Sequence, residues 1–404
     1  MGALSPLGTL DAFWEGLKAG RSGIRRVTRF DPSNLDVKIG GEVDFDPTDH
    51  INYKDARRMS RASQMALVAA RMALADAGLT YGEVAADPER AAVVMGTAAA
   101  GAEILIDTTI EYQNEGRRPR PFALINGLPN MPGHYVSADV DARGPLATIS
   151  TACASGTQAI GAAVDLIRAG RAEIVFAGGV DCLIREEVFA AFNAMTILPT
   201  GYNDQPEAAS RPFDAERSGF VLSEGAGALV VESLARAKAR GARIYAEVLG
   251  HAASSDAHHS ATPDEEGQGA RNAMRWALAD AGLPADRVDY INAHGTGTEV
   301  NDALETYAIK QVLGKRAHEV PINSTKSMIG HCMGGSGALE AIACALTIYE
   351  GVIHPTINLH TPDPACDLDY VPNEARRAAV RTALSNSFGL GGQNACLVLG
   401  AAPG

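Results

Sequence analysis

The sequence predicts an α/β fold built from two similar halves, and three internal repeats carry that prediction. Ala73-Leu74-Ala75-Asp76-Ala77-Gly78-Leu79 recurs letter for letter as Ala277-Leu278-Ala279-Asp280-Ala281-Gly282-Leu283. An apolar run entering a glycine turn follows each copy: Ala91 to Met95 before Gly96-Thr97, and Val288 to Ala293 before His294-Gly295-Thr296. Further along, Ser155-Gly156 opens a run of small residues closed by Gly170, and Ser336-Gly337 opens one of the same length closed by Gly351.

Each heptapeptide reads as the last turns of an amphipathic helix, stopped by a glycine at the left-handed cap position. The apolar runs read as strands, and helices alternating with short strands imply βαβ units with parallel pairing. The runs rich in Ala and Gly make poor solvent faces and suit close packing between layers. Their amino ends should therefore meet near a pseudo-two-fold axis, at the carboxyl ends of the strands, where open α/β sheets place their sites. Strand-like Ala226 to Glu232 and helix-like Ala235 to Arg240 close the first half, which divides the chain into residues 1–240 and 241–404. Near the end, strand-like Arg381 to Leu384 leads into glycine-rich Ser385 to Asn394, which reads as a movable loop allowing close backbone approach to a ligand. Its spacing is not the G-x-G-x-x-G of a dinucleotide fold, and no βαβ unit follows it.

The chain has 404 residues, 46% of them hydrophobic and 21% charged, enough for a large core. A formal net charge of −13 argues against general nucleic-acid binding. No apolar run approaches the roughly 20 residues that span a bilayer, and the amino terminus lacks the regions of a signal peptide, so no membrane association and a cytoplasmic location are expected. Six cysteines without paired spacing suit reduced thiols, with Cys182, Cys344 and Cys396 read as packing residues. Lys54, Arg57, Arg58 and Arg61 form a basic cluster, and Arg117, Arg118 and Arg120 form another. A solvated face explains either cluster as well as a binding patch does.

Three segments carry chemistry. Ser150-Thr151-Ala152-Cys153-Ala154-Ser155-Gly156 puts a thiol at a strand-to-helix corner, where the positive end of the following helix favours the thiolate and a nucleophilic role. Asn292-Ala293-His294-Gly295-Thr296-Gly297-Thr298 sets a histidine in a glycine turn directly after a strand. Ser324-Thr325-Lys326-Ser327-Met328-Ile329-Gly330-His331 sets a second histidine, with a lysine, just before the second small-residue helix. Isolated histidines usually have structural roles, but a duplicated scaffold converges both of these on Cys153.

With Asn386-Ser387-Phe388-Gly389, these motifs resemble those of the elongating β-ketoacyl-acyl-carrier-protein synthases of the thiolase superfamily, and the resemblance runs over nearly the whole chain. It implies a duplicated, five-layered αβαβα fold, a homodimer, and decarboxylative Claisen condensation of an acyl chain with malonyl-acyl-carrier protein in fatty-acid elongation. No cofactor is implied beyond the phosphopantetheine of the carrier protein. By the same resemblance Cys153 holds the acyl thioester, and His294 and His331 promote loss of CO2 by stabilising the enolate. Lys326 tunes the second histidine, Glu340 organises the region, and the backbone N–H groups of Cys153 and Phe388 form the oxyanion hole. Phe388 also gates the acyl pocket, Phe192 lines it, Thr296 and Thr298 bind the pantetheine arm, and Lys54, Arg57 and Arg58 meet the acidic carrier protein. Some relatives hold a structural cation at the positions of Asn292, Glu340, Ser385 and Asn386.

Two departures stand out. The chain starts at the Gly2-Ala3-Leu4-Ser5-Pro6-Leu7-Gly8 turn, without the strand that precedes it in the family, which would leave a sheet edge unpaired. Leu390 also takes the place of a second aromatic residue after Phe388. The rival readings are a ketosynthase of a dissociated polyketide or polyene pathway and a non-condensing chain-length partner subunit, which lacks the nucleophile that Cys153 provides. A degradative thiolase needs a second cysteine in the glycine-rich turn, and an initiating synthase has asparagine where His331 stands.

Overall fold

In the computed structural model, which describes residues 1–402, the repeats fold onto two main sheets. The front sheet comprises β1 (Gly2–Ser5), β2 (Gly8–Thr9), β3 (Ala91–Gly96), β4 (Leu146–Ile149), β5 (Ile174–Asp181) and β6 (Gly225–Glu232), in the spatial order β2-β1-β6-β5-β3-β4. The back sheet comprises β7 (Glu247–Ser255), β8 (Tyr290–Asn292), β9 (Ile322–Asn323), β10 (Thr382–Gly389) and β11 (Gln393–Gly400), in the order β9-β8-β10-β11-β7. Parallel pairing holds on one side of each sheet, where β3 joins β4 and β5, and β8 joins β9 and β10. Elsewhere the expectation of parallel strands fails. β6 runs antiparallel to β5 and β1, and β11 runs antiparallel to β10 and β7. A turn as short as Leu390-Gly391-Gly392 can only return the chain antiparallel, whereas parallel neighbours need a long crossover.

Five helices complete the layers: α1 (Arg61–Asp76), α2 (Ser155–Arg168), α3 (Gln268–Asp280), α4 (Glu299–Leu313) and α5 (Ser336–Glu350). α1 and α3 end the two heptapeptides, and both capping glycines, Gly78 and Gly282, take the left-handed conformation with φ 65°. α1 packs on the outer face of the front sheet and α3 on that of the back sheet, with α4 beside α3. α2 and α5 lie between the sheets and touch both. The order is therefore helix, sheet, helix, sheet, helix, the five-layered arrangement expected.

The small residues of the inner helices have a packing cause. α5 is buried from Ser336 through Thr347 and so carries no polar face. Its start crosses that of α2 at two glycines: a Cβ on Gly156 would lie 2.9 Å from the amide nitrogen of Ala338, and one on Gly337 would lie 2.1 Å from Thr157 Oγ1. Only glycine lets the two amino ends come this close.

Two further expectations are corrected. Gly2–Ser5, read as a turn after a missing strand, is itself a strand. Its residues Gly2 to Leu4 pair with Ala226 to Ala228 of β6, because their alternate side chains are buried on both faces of the sheet. Ser385 to Gly389, read as loop, extends β10, whose ladder to β11 continues to the Gly389–Gln393 pair. Among the described residues no helix is long and apolar enough to cross a membrane.

Candidate active site

Cys153 sits in a single 3-10 turn, Ala152–Ala154, that leads directly into α2. Ala152 holds φ 49°, and Met333, at the equivalent corner before α5, holds φ 48°. Non-glycine residues in this region are strained and persist only where their surroundings hold them. Ser155 supplies part of that hold, its Oγ accepting from the Thr151 amide at 2.9 Å and donating to the Ala152 carbonyl at 2.7 Å. Buried Asp181, at the end of β5, joins the corners of the two halves. Its carboxylate accepts from Thr97 Oγ1 and from the amides of Ala98, Ala99 and, at 2.7 Å, Gly334.

The scaffold brings Cys153, His294 and His331 together as expected. His331 Nε2 lies 3.0 Å from Cys153 Sγ, and the two imidazole rings meet edge to face with centroids 5.4 Å apart. All three line one cavity of about 530 Å³, together with Phe388, Thr296 and Thr298. Thr296 Oγ1 and Thr298 Oγ1 are 3.0 Å apart.

Hydrogen bonds set both histidine tautomers. The Met333 amide donates to His331 Nδ1 at 3.2 Å, so that nitrogen is an acceptor and the proton is on Nε2. Lys326 Nζ lies 3.3 Å from His294 Nδ1 and donates to the His294 carbonyl at 2.8 Å, which makes Nδ1 of this ring an acceptor as well. Each imidazole therefore presents an Nε–H to the cavity. Burial holds both rings well below the ordinary histidine pKa, and the Lys326 ammonium pushes them further down, so both are neutral at pH 7. Glu305 of α4 fixes the His294 turn by accepting from the His294 and Gly295 amides at 2.8 Å each.

The structure corrects the sequence reading at four points. Lys326 touches His294, not His331, and forms a buried ion pair with Glu340. The resemblance assigned Lys326 to the second histidine, but the glycine turn at Gly330 swings His331 away toward Cys153. The Cys153 thiol is not held as thiolate, because burial pushes its pKa up to about 11, against the opposing pull of the Lys326 charge and the Leu390 amide. The helix-end effect is too small to offset that desolvation. The amide that pulls the Cys153 thiol down is Leu390's rather than Phe388's, since Phe388 belongs to the ladder with β11 while Leu390 begins the turn. Lastly, Phe192 does not line the cavity. It lies behind Phe220, with ring centroids 5.4 Å apart, and Phe220 in turn packs on His331 at 5.3 Å.

A raised thiol pKa has a direct readout. Ionisation at about 11 instead of 9.0 leaves about 100-fold less thiolate at pH 8. Alkylation of Cys153 by iodoacetamide should therefore rise about tenfold per pH unit through pH 9, followed by mass spectrometry of its peptide. A plateau near neutral pH would restore the thiolate reading.

The family models place the chain. The β-ketoacyl synthase N-terminal domain matches residues 1–237, and the β-ketoacyl synthase C-terminal domain matches residues 245–360. The chain belongs to the β-ketoacyl synthase family. A Synechocystis protein named 3-oxoacyl-[acyl-carrier-protein] synthase 2 is 45% identical over 400 residues, covering 98% of this chain and 95% of that protein. The ketosynthase of a type II PKS, solved with its acyl-carrier protein and bound to the hexaketide, superposes with a TM-score of 0.92 at 34% identity, over 99% of this chain and 98% of its own. The ishigamide ketosynthase/chain length factor superposes with a TM-score of 0.90 at 39% identity, over 100% and 98%.

For a β-ketoacyl synthase, the surroundings of the site add residues that the sequence motifs did not single out. Asp256 accepts from Asn394 Nδ2 at 2.7 Å, its amide donates to the Gly392 carbonyl at 3.0 Å, and the Gly391 amide donates to the Ser260 carbonyl at 2.8 Å. These bonds tie the Leu390-Gly391-Gly392 turn to the segment 256–260. Asp181, Glu305 and Asp256 lie outside every motif, and only the paired turns they bridge mark them.

The basic cluster divides. Lys54, Arg57 and Arg58 are exposed, while the Arg61 guanidinium is drawn inward to Glu224 at 2.7 Å. Arg117 and Arg120 pair locally with Glu115 and Glu111.

The suggested cation set fits in part. Asn292 Oδ1, Ser385 Oγ and Glu340 Oε2 are buried without a hydrogen-bond partner, and Asn292 and Ser385 are neighbours across β8 and β10. Unpartnered oxygens of this kind suit a hard cation. Asn386 Oδ1 is likewise buried without a partner, but its side chain faces the other side of β10, where its amide nitrogen reaches Glu305 at 3.2 Å.

Proposed function

We propose that this chain condenses an acyl group, held as a thioester on Cys153, with the two-carbon unit freed from malonyl-acyl-carrier protein, giving 3-oxoacyl-acyl-carrier protein and CO2 in fatty-acid elongation. The observation that carries this reading is the convergence of one thiol and two neutral Nε–H donors in a single cavity. In the first half-reaction the thiol exchanges with the acyl thioester of the carrier protein, whose phosphopantetheine leaves as its own thiol. The amides of Cys153 and Leu390 stabilise the tetrahedral oxyanion. In the second, the C–C bond of the malonyl thioester breaks and its electrons form an enolate. His294 and His331 donate to the enolate oxygen, and donors already in place cost no reorganisation as the charge develops. The enolate carbon attacks the acyl carbonyl, and the Cys153 thiolate that leaves takes up one proton. Thr296 and Thr298 hold the pantetheine arm, Phe388 and Phe220 border the acyl chain, and Glu340 anchors Lys326 through their buried ion pair.

Product masses from malonyl-carrier protein incubated with acyl-carrier proteins of several lengths test this reading. Growth of each accepted chain by two carbons, with one CO2 released, supports it; hydrolysis or transfer alone would end it. Discrete polyketide ketosynthases share this chemistry, and repeated extension without ketone reduction in the same assay would favour that pathway.

The exposed Lys54, Arg57 and Arg58 suit an acidic carrier protein. Arg57→Glu with Arg58→Glu should raise KM for the carrier substrate about tenfold at low salt, with kcat little changed, because such charges chiefly steer encounter. Screening should shrink the difference toward molar salt. Equal KM values for variant and wild type at low salt would remove these residues from the interface.

A homodimer is part of the same proposal. β4 is an edge strand, and Leu146 on it is 45% exposed, while Phe122 and Leu124, just before the helix Met131–Val140 that packs on it, are 67% and 68% exposed. An apolar edge of this kind invites pairing with a second copy. Light scattering should give twice the chain mass, and Leu124→Glu with Leu146→Lys should give monomer. A wild-type monomer at micromolar concentration would exclude the dimer.

A further inference from the structure

The three groups proposed to carry the reaction also satisfy a different chemistry. Cys153 Sγ, one nitrogen of His294 and one of His331 all lie within 4.8 Å of one another, and the three residues are 4%, 2% and 2% exposed. A tetrahedral zinc ion, with Zn–S about 2.3 Å and Zn–N about 2.1 Å, spaces its sulfur and nitrogen ligands about 3.6 Å apart and two nitrogens about 3.4 Å apart. The observed separations bracket those values, so small side-chain rotations suffice. Thiolate with two imidazoles is the ligand set that selects zinc(II) and similar thiophilic ions, and the fourth position opens onto the cavity.

We propose that Cys153, His294 and His331 bind one zinc(II), or another thiophilic divalent cation, whenever Cys153 carries no acyl group, so that the metal and the acyl thioester exclude each other. Binding forms the S–metal bond as the thiol proton leaves to solvent, and no electron is transferred. Each imidazole coordinates through Nε2 and moves its proton to Nδ1. For His331 this costs the bond from the Met333 amide, 3.2 Å from Nδ1, and Ser336 Oγ, 2.9 Å from the same nitrogen, rotates to accept in its place. For His294 it is opposed, since the new N–H would face the Lys326 ammonium at 3.3 Å. Lys326 therefore guards the site against metal while it holds His294 in the tautomer that the condensation uses.

Titration of the intact, unacylated protein with cobalt(II) reads the site without any turnover. One equivalent should give a thiolate-to-cobalt charge-transfer band in the near ultraviolet, and zinc(II) should abolish it. Lys326→Met should tighten cobalt binding by at least about tenfold, the opposite of what loss of an ordinary supporting residue does. On the wild-type protein, one equivalent of zinc(II) should slow iodoacetamide alkylation of Cys153 at least about tenfold, with the modified peptide identified by mass. No band in wild type, a band that survives Cys153→Ala, or alkylation at the same rate with and without zinc(II) would each overturn the proposal. Because these measurements involve no acyl substrate, their failure leaves the condensation reading untouched, and failure of condensation leaves them readable.

Discussion

Cys153→Ala should lower acyl elongation by about 10³-fold or more while malonyl-carrier protein still loses CO2 at a rate within about tenfold of wild type. The two half-reactions use different groups. Elongation needs a thiol to hold the acyl chain, and that of Cys153 is the only thiol lining the cavity beside the histidines among the described residues. Decarboxylation needs donors to the enolate oxygen, and both Nε–H groups keep their anchors in the variant: the Met333 amide for His331 and Lys326 for His294. Removing the sulfur also removes the acceptor 3.0 Å from His331 Nε2, freeing that N–H for the thioester oxygen. Carbon dioxide release and product mass, measured on the same samples, separate the two effects. Elongation by the variant would remove Cys153 from the nucleophile's role, and loss of both reactions together would show that decarboxylation depends on the acyl thioester.

Lys326→Met should act the other way round, abolishing decarboxylation first. The ammonium makes Nδ1 of His294 an acceptor and so keeps the proton on Nε2; without it nothing holds that N–H toward the cavity, and one of the two enolate donors is lost. A lost donor of this kind costs about 10² to 10³ in rate. The same change leaves Glu340 buried without its partner, which costs about 3–5 kcal/mol of stability. The second substitution, Glu340→Leu, separates the effects. Lys326→Met with Glu340→Leu should recover most of the thermal stability and none of the decarboxylation. If decarboxylation returned with stability, Lys326 would be a folding residue and the tautomer argument would fail.

Much of this site was legible along the chain because the chemistry sits in short local motifs. Cys153 before a small-residue helix, and His294 and His331 in glycine turns after strands, could be named from neighbours alone, and the repeats told which ends of the two halves must meet. What the chain order misread were contacts across space. Lys326 stands five positions before His331 but its four-carbon stem reaches the ring of His294, on the adjacent strand's turn. Asp181, Glu305 and Asp256 carry no local signature, since each acts by accepting amides from another segment, 11 residues away for Glu305 and well over 100 for the other two. Desolvation likewise has no sequence signal. The corner geometry alone argues for thiolate at Cys153, and only the depth of burial reverses it.

Sequence by itself determined the duplicated α/β plan, the five layers through a family resemblance, and the identity of the thiol and both imidazoles. These depend on periodicity, glycine placement and residue type, all of which are local properties. The tertiary structure alone decided which strand pairs run antiparallel, which histidine Lys326 serves, which amide faces the sulfur and whether that sulfur is charged. Those outcomes rest on distances between segments and on exclusion of water, and neither is set until the two halves close on each other.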